Sequence, residues 1–393
     1  MDFELTEEQT TLKDTTRKFM QSREVQDWIY EAYKTKNFPR DFMGRAAEHG
    51  YLGMNIAEKY GGAGMSYLDA LIAFEEIAYA SIPFSLNVLV QNSLAGFAIE
   101  TFGTLEHREK YLPRMVKGEL FGCFANTEPE AGSDAKNIRT RARWTDKKWV
   151  INGTKRFITN ASEAGVAVIF TRTMERRPGH PGITAFLVEI GPDISGFSLD
   201  KIEEKNAQRG STLCQFTLTD FVAHEEDIIG GINRGWEVCE KTFLHSRLWV
   251  ATQAVGAARY MLDKTVKYVS GRNTFGEPII KHQYPAFELA KAKVEIEAAR
   301  LLIRKAACQE TAGDPEFPLT CSMAKYLAGE MVENMASLCY RYHGGMSIAT
   351  ETAPGDHSPE TLLLDSKIIR TYEGPSEIML KIISDDLRKS VSG

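Results

Sequence analysis

The hydrophobic positions of this chain change period twice. From Thr6 to about Lys117 they recur at helical spacing, with Leu12, Thr16 and Phe19 behind a start signal at Thr6, where Glu7 and Glu8 put acids in the first turn. Short β-rich runs then take over: Arg139 to Trp144, Lys148 to Asn152, Val166 to Arg172, Ile183 to Glu189 and Cys214 to Val222. Thr145-Asp146-Lys147, Pro178-Gly179 and Gly191-Pro192 separate them with turn chemistry, so this region reads as an antiparallel β-domain. After Gly235 the helical period returns and holds to the end. Trp236 to about Val269 predicts one helix of roughly 50 Å. Further helices run from about Tyr284 to Ala307 and from about Leu319 to Tyr342, with Gly344 as the stop. The expectation is an α+β chain of three domains, 1–121 helical, 122–228 β and 229–393 helical.

Composition narrows the classes. At 393 residues and 43% hydrophobic, the chain can bury several cores. A net charge of −6 leaves no basic stripe to neutralise phosphates, which argues against nucleic-acid binding; Lys147-Lys148 and Arg176-Arg177 fit solvated turns. The apolar runs read as too short or too interrupted to span a bilayer, and no basic-then-apolar leader opens the chain, so a cytoplasmic protein without membrane insertion is expected. Six cysteines without a Cys-x-x-Cys pair read as structural thiols in a reducing compartment, and the eight histidines form no ligand-spaced cluster, so no metal is expected. Tyr60-Gly61-Gly62-Ala63-Gly64 follows no strand and reads as an inter-helix loop, not a dinucleotide fingerprint.

The candidate chemistry centres on Thr371-Tyr372-Glu373-Gly374-Pro375-Ser376-Glu377-Ile378. Pro375 fits the first position of a helix whose apolar side carries Met379, Ile383 and Leu387. Glu373 thus sits in a tight turn, with Gly374 allowing another molecule close to the backbone. The residue types suit a general base aimed into a cleft, or a solvated capping acid. Four other stretches could bind a ligand. Phe124-Ala125-Asn126-Thr127 to Gly132-Ser133 offers amides and hydroxyls, or is a plain loop. Phe157-Ile158-Thr159 could stack on a planar cofactor, or supply an ordinary strand aromatic. Arg272 to Phe275, with Gln283, could hold a pyrophosphate, or Arg272 could simply face a helix dipole. Arg341-Tyr342-His343-Gly344-Gly345 could be only a helix cap.

In order and spacing together, from Leu5-Thr6-Glu7-Glu8-Gln9 to Tyr372-Glu373-Gly374, the whole chain resembles the flavin-dependent acyl-CoA dehydrogenases. The resemblance implies an N-terminal helical domain, a central antiparallel β-domain and a C-terminal four-helix domain, with FAD between strands and helices. It implies a homotetramer, a dimer of dimers, and electron-transfer flavoprotein as acceptor. By the same resemblance Phe124, Asn126, Thr127, Gly132, Ser133, Phe157 and Thr159 would hold the flavin ring. Arg272, Phe275, Gln283, Arg341, Gly344, Gly345, Ser376 and Glu377 would serve the rest of FAD, partly across a dimer interface. Ser133, Arg247, Trp249, Tyr372 and Gly374 would line the acyl-CoA site. Glu373 would be the base; the family's other base position is Ser246 here, before Arg247.

Several positions depart from the family pattern. Pro375 follows Glu-Gly where a small residue is usual, Arg341 stands for glutamine, and Leu364 and Leu380 stand for arginines. Residues 346–359 are longer and more polar than the pattern. These changes bear on how FAD is bound, not on the base. Trp249, three residues after Ser246, lies on the same helix face and would favour a short, branched or cyclic acyl group, or merely pack between helices. Ser85 stands about where glutaryl-specific members carry an arginine. The rival expectations are an enoyl-CoA reductase, a flavin oxidase on the same scaffold, and a non-catalytic binding protein.

Overall fold

A computed structural model of the protein describes residues 4–349 and 355–392. Residues 350–354, part of the unusual 346–359 segment, lie outside the described residues. The N-terminal part is helical: α1 (Glu7–Met20), α2 (Arg23–Thr35), α3 (Arg40–Glu48), α4 (Tyr67–Ala80), α5 (Ile82–Leu89), α6 (Phe97–Phe102) and α7 (Leu105–Val116). The start signal at Thr6 is a capping box: its hydroxyl accepts from Gln9 N at 3.1 Å while the Gln9 side chain accepts from Thr6 N at 3.2 Å. Tyr60 ends a short 3₁₀ turn, and the glycine-rich stretch after it joins helices, as the sequence predicts.

Between α5 and α6 the backbone widens into a π-helical segment, Val90–Gly96. The stretch Ile82–Phe102 is 21 residues long and apolar enough to cross a membrane, which corrects the sequence expectation; its apolar window is 89% buried inside the protein, as a core helix would be. Gln91 ties this segment to the next layer, donating to the Met115 and Leu120 carbonyls at 3.0 and 2.9 Å and accepting from Gly122 N at 3.0 Å.

The strands are β1 (Gly122–Ala125), β2 (Arg141–Thr145), β3 (Lys148–Thr159), β4 (Val166–Arg172), β5 (Ile183–Glu189), β6 (Phe197–Ile202), β7 (Leu213–Ala223) and β8 (Ile228–Ile229). They run in the order β6-β7-β3-β2-β4-β5-β8, with β1 added on β4. The sheet is mixed, not purely antiparallel: β1 pairs parallel with β4, Phe124 opposite Val168, and β2 touches β4 in parallel at Arg141. A four-residue strand buried at every position has no alternation to reveal it. β6 is missed for the opposite reason, being exposed along most of its length. β3 outruns its predicted end because two register shifts, near Gly153 and near Arg156, interrupt its alternation.

The chain then forms α8 (Gly235–Gly271), the short hairpin β9 (Asn273–Thr274) and β10 (Glu277–Pro278), α9 (Gln283–Ala312), α10 (Phe317–His343), α11 (Pro359–Lys367) and α12 (Ser376–Ser392). α8 is buried continuously from Leu248 to Ala258, because α4 and α10 pack on it from different sides. A buried ion network locks four helices together. Glu75 of α4 accepts from Arg259 of α8 at 2.7 Å and Arg300 of α9 at 3.0 Å, and its neighbour Glu76 pairs with Arg17 of α1 at 3.1 Å. Burial alone would raise the Glu75 carboxyl, but the two arginines carry it below the usual range. All six cysteines are free thiols.

Candidate active site

After α11 the chain makes a compact turn, with Thr371 N on the Ile368 carbonyl at 2.9 Å and Ser376 N on the Arg370 carbonyl at 3.2 Å. Glu373 and Gly374 take left-handed conformations in succession, φ 57° and 103°. For a glutamate this costs of order 1–3 kcal/mol and needs support from its surroundings. A Cβ at Gly374 would come within 2.8 Å of Met379 Cε and 3.6 Å of Arg247 Nη2, so glycine is needed for space as well as conformation. The Pro375 carbonyl accepts from Met379 N at 3.2 Å, which makes Pro375 the cap and Ser376 the first helical residue, one position later than the sequence predicts.

Two cations supply the support. Arg247 Nε donates to the Glu373 carbonyl at 3.1 Å. Lys325 of α10, 1% exposed, donates from Nζ to the Gly374 carbonyl at 2.9 Å and the Ile369 carbonyl at 3.3 Å. The Glu373 residue as a whole is half-buried, but its Oε2 is out of solvent and without a hydrogen-bond partner. Burial pushes this carboxyl up to about 7, against the opposing effects of the Ser246 hydroxyl, Lys325 and Arg247. Ser246 Oγ lies 2.7 Å from Ser93 Oγ, which the π-helical segment presents. A carboxylate with one oxygen free and an affinity for a proton matched to neutral pH is suited to general-base chemistry.

Beside this carboxyl stand Arg247 and the neighbouring turn residues Tyr372 and Gly374; Trp249 lies three residues after Ser246 on α8. Trp249 is fully buried against Phe74, ring centroids 4.7 Å apart, and its Nε1 has no partner. The Tyr372 hydroxyl donates to Gln253 Oε1, and Gln253 Nε2 donates to Ser85 Oγ at 2.9 Å and the Ile82 carbonyl at 3.0 Å. Ser85 is therefore part of a neutral amide–hydroxyl chain.

The β-domain side meets α8 one turn before Ser246, where Phe124 packs on Phe243 at 5.4 Å. The loop after β1 is pinned by a buried ion pair: Lys155 Nζ to Glu128 Oε1 at 2.7 Å, with the Asn126 carbonyl also accepting from Lys155 at 3.2 Å. Asn126 is buried with its Oδ1 unpartnered, Gly132 and Ser133 are exposed, and Thr127 and Thr159 are half-buried. Phe157 is 50% exposed in a left-handed conformation, φ 58°. The two segments are tied together by Arg156 N on the Thr127 carbonyl at 3.0 Å.

The remaining predicted residues are elsewhere. Arg272, Phe275, Gln283, Arg341, Gly344 and Gly345 are all exposed at the far end of the helical layer, joined there by the stacked Tyr268 and His343 rings, 4.3 Å apart. At 1.5 Å per residue, Arg272 lies about 39 Å along α8 from Ser246. Phe275 is 99% exposed. Arg341 pairs with Glu288 and lies 5.0 Å over the Tyr342 ring. Ser376 is buried and donates to Glu330 Oε1 at 2.7 Å, while Glu377 is exposed, 3.7 Å from Arg370. Of the departures, Leu364 and Leu380 are 38% and 45% exposed.

Sequence reasoning missed Lys325, Ser93 and Gln253. Lys325 carried a signal: it shares a helix face with Cys321, Ala328 and Val332, all buried, where a lysine has no solvated place. Ser93 and Gln253 lie in runs with no polar periodicity to mark them.

The chain matches three family models: "Acyl-CoA dehydrogenase, N-terminal domain" over residues 6–119, "middle domain" over 123–221 and "C-terminal domain" over 233–387. It is 35% identical to a probable short/branched chain specific acyl-CoA dehydrogenase of Dictyostelium discoideum, covering 98% of this chain and 91% of that one. It is 34% identical to a 3-(aryl)acrylate reductase of Clostridium sporogenes, covering 98% and 99%. Among solved structures, butyryl-CoA dehydrogenase from Megasphaera elsdenii superimposes with a TM-score of 0.91 at 30% identity, covering 98% of this chain and all (100%) of that one. With the three-domain fold and the sequence matches in agreement, this chain belongs to the acyl-CoA dehydrogenase family.

Proposed function

We propose that this protein oxidises an acyl-CoA thioester to its 2,3-enoyl-CoA with FAD as cofactor and Glu373 as the base. The observation that carries the assignment of the base is the Glu373 carboxyl, buried, unpartnered at Oε2 and raised to about 7. When bound, FAD supplies the hydride acceptor for the β-carbon. Glu373 takes the α-proton, and the buried position keeps competing water from it. General-base assistance of this kind contributes about 10²- to 10⁴-fold. Arg247 and Lys325 fix the backbone on both sides of the base, so the carboxyl reaches the α-carbon without reorganising. The face around Phe124, Asn126, Thr127, Ser133, Phe157 and Thr159 is the seat of the flavin ring. The cluster from Arg272 to Gly345 is about 39 Å away along α8, and in our reading it serves the FAD of a neighbouring copy in a homotetramer. The 99% exposure of Phe275 supports that reading.

Trp249, three residues after Ser246 on α8 and packed on Phe74, is in our reading the residue that narrows the acyl cavity, which favours a short, branched or cyclic acyl group. Electron-transfer flavoprotein is the proposed acceptor, on family resemblance. The similarity to an arylacrylate reductase favours a second reading, the same chemistry run as enoyl reduction. Anaerobic titration with a panel of acyl-CoAs tests both. Bleaching of the flavin by one acyl-CoA, lost in Glu373→Gln, is the expected result. A flavin that no acyl-CoA bleaches, but that an enoyl-CoA reoxidises once reduced, would select the reductase.

A further inference from the structure

The turn that carries Glu373 contains two successive left-handed residues, and its geometry depends on a cation from a different helix. Lys325 lies wholly inside the protein, and its ammonium bridges the carbonyls of Ile369 and Gly374, four residues before the base and one after it. One turn further along α10, Gly329 lets the same segment approach closely: a Cβ there would meet Arg370 Cβ at 3.2 Å. Ser376 closes the turn on Glu330 at 2.7 Å, and Arg370 pairs with Glu330 at 3.0 Å and Glu333 at 2.9 Å. The turn is thus seated along α10 from Lys325 to Glu333, and Lys325 is the wholly buried charged member of that row.

We propose that Lys325 is a positioning residue for the reaction: its buried ammonium clamps the two carbonyls that bracket Glu373, so holding the carboxylate in its reactive orientation and giving it a nearby positive charge. This rests on the reading of Glu373 as the base. A buried lysine without an anionic partner is costly, and burial pushes Lys325 down to about 7 although Glu373 favours its charged form. A leucine or methionine would fill the same space, so the ammonium is kept for its donors and its charge. The groups that act on the Glu373 carboxyl come from several elements: Ser246 and Arg247 of α8, Lys325 of α10, and, more weakly, Tyr67 of α4, Cys321 of α10 and Tyr372 of its own turn. Arg370 and Glu330 act on it through Lys325. Arg247, the other cation, donates to the Glu373 carbonyl, so loss of Lys325 leaves the Ile369 and Gly374 carbonyls without their cation.

The test compares wild type, Lys325→Met and Lys325→Arg as FAD-loaded proteins. Infrared difference titration of the Glu373 carboxyl, with Glu373→Gln as the blank, reads its protonation without any substrate. Lys325→Met should move the midpoint to higher pH, since a positive neighbour is lost, and Lys325→Arg should leave it near wild type. With an acyl-CoA that bleaches wild type, Lys325→Met should lower kcat by about 10²-fold with little change in KM, and its acid limb should move upward. A folded Lys325→Met with wild-type rate and midpoint overturns the proposal. Should Lys325→Met not fold, Lys325→Arg decides: a shifted midpoint overturns it, an unchanged one supports it. If no acyl-CoA bleaches the wild type, the dehydrogenase reading fails by itself, and the infrared midpoints still decide the role of Lys325.

Discussion

Replacing Glu373 by glutamine should stabilise the protein, and by an amount that depends on pH. The neutral carboxyl is compatible with its buried site and the anion is not, so its proton affinity rises from the ordinary 4.5 to about 7 on folding. A group raised in this way contributes stability that is complete below its unfolded value and is lost as pH climbs through the folded one. At 1.36 kcal/mol per pK unit, the loss is at most about 3 kcal/mol and is complete above pH 8. At pH 5 it is about 1 kcal/mol. Glutamine keeps the shape and carries no charge, so the variant escapes the loss. With about 2 cal/mol/K of unfolding entropy per residue over 393 residues, 3 kcal/mol corresponds to about 4 °C. Lys325 does not blur the comparison at the low end of the range, because below pH 6 the wild-type carboxyl is itself neutral. The assay is the apparent Tm of both proteins at one scan rate, from pH 5 to pH 9. The advantage of Glu373→Gln should grow from about 1 °C to about 4 °C. A difference that is flat across pH, or a variant that is less stable at pH 9, would refute the claim that the base is held against its charge.

Two further outcomes follow from the site. Trp249→Ala should cost about 3–5 kcal/mol of stability, as expected for a fully buried aromatic, and should shift the acyl-CoA chain-length profile toward longer chains; a profile unchanged in the folded variant removes Trp249 from specificity. Phe157→Ala, at a half-exposed position, should leave Tm almost unmoved yet weaken flavin retention by about 1 kcal/mol, near fivefold, read as FAD released on dilution; equal retention would take Phe157 out of the flavin face.

Periodicity, caps and turn chemistry act within a few residues, and those features were legible in the chain. The capped start at Thr6, the long helices after Gly235 and the glycine-bearing turn at Glu373 all depend on local backbone preferences and on which face is apolar. The motifs of the family were readable for the same reason, since each is a short local solution. Tertiary structure decided the rest. The parallel pairing of β1 with β4 joins segments whose partner positions, Gly122 and Val166, lie far apart in the chain. The proton affinity of Glu373 depends on Arg247 and Lys325, which reach its turn across 126 and 49 residues of sequence. A lysine code says nothing about whether water surrounds it; only packing against α10 turns Lys325 from a surface charge into a buried clamp. Likewise one long helix, read correctly as a helix, sets Ser246 and Arg272 about 39 Å apart, a distance that only the unbroken run of α8 fixes. Local sequence sets which conformations a segment prefers; charge, exposure and distance are properties of what the fold brings beside it.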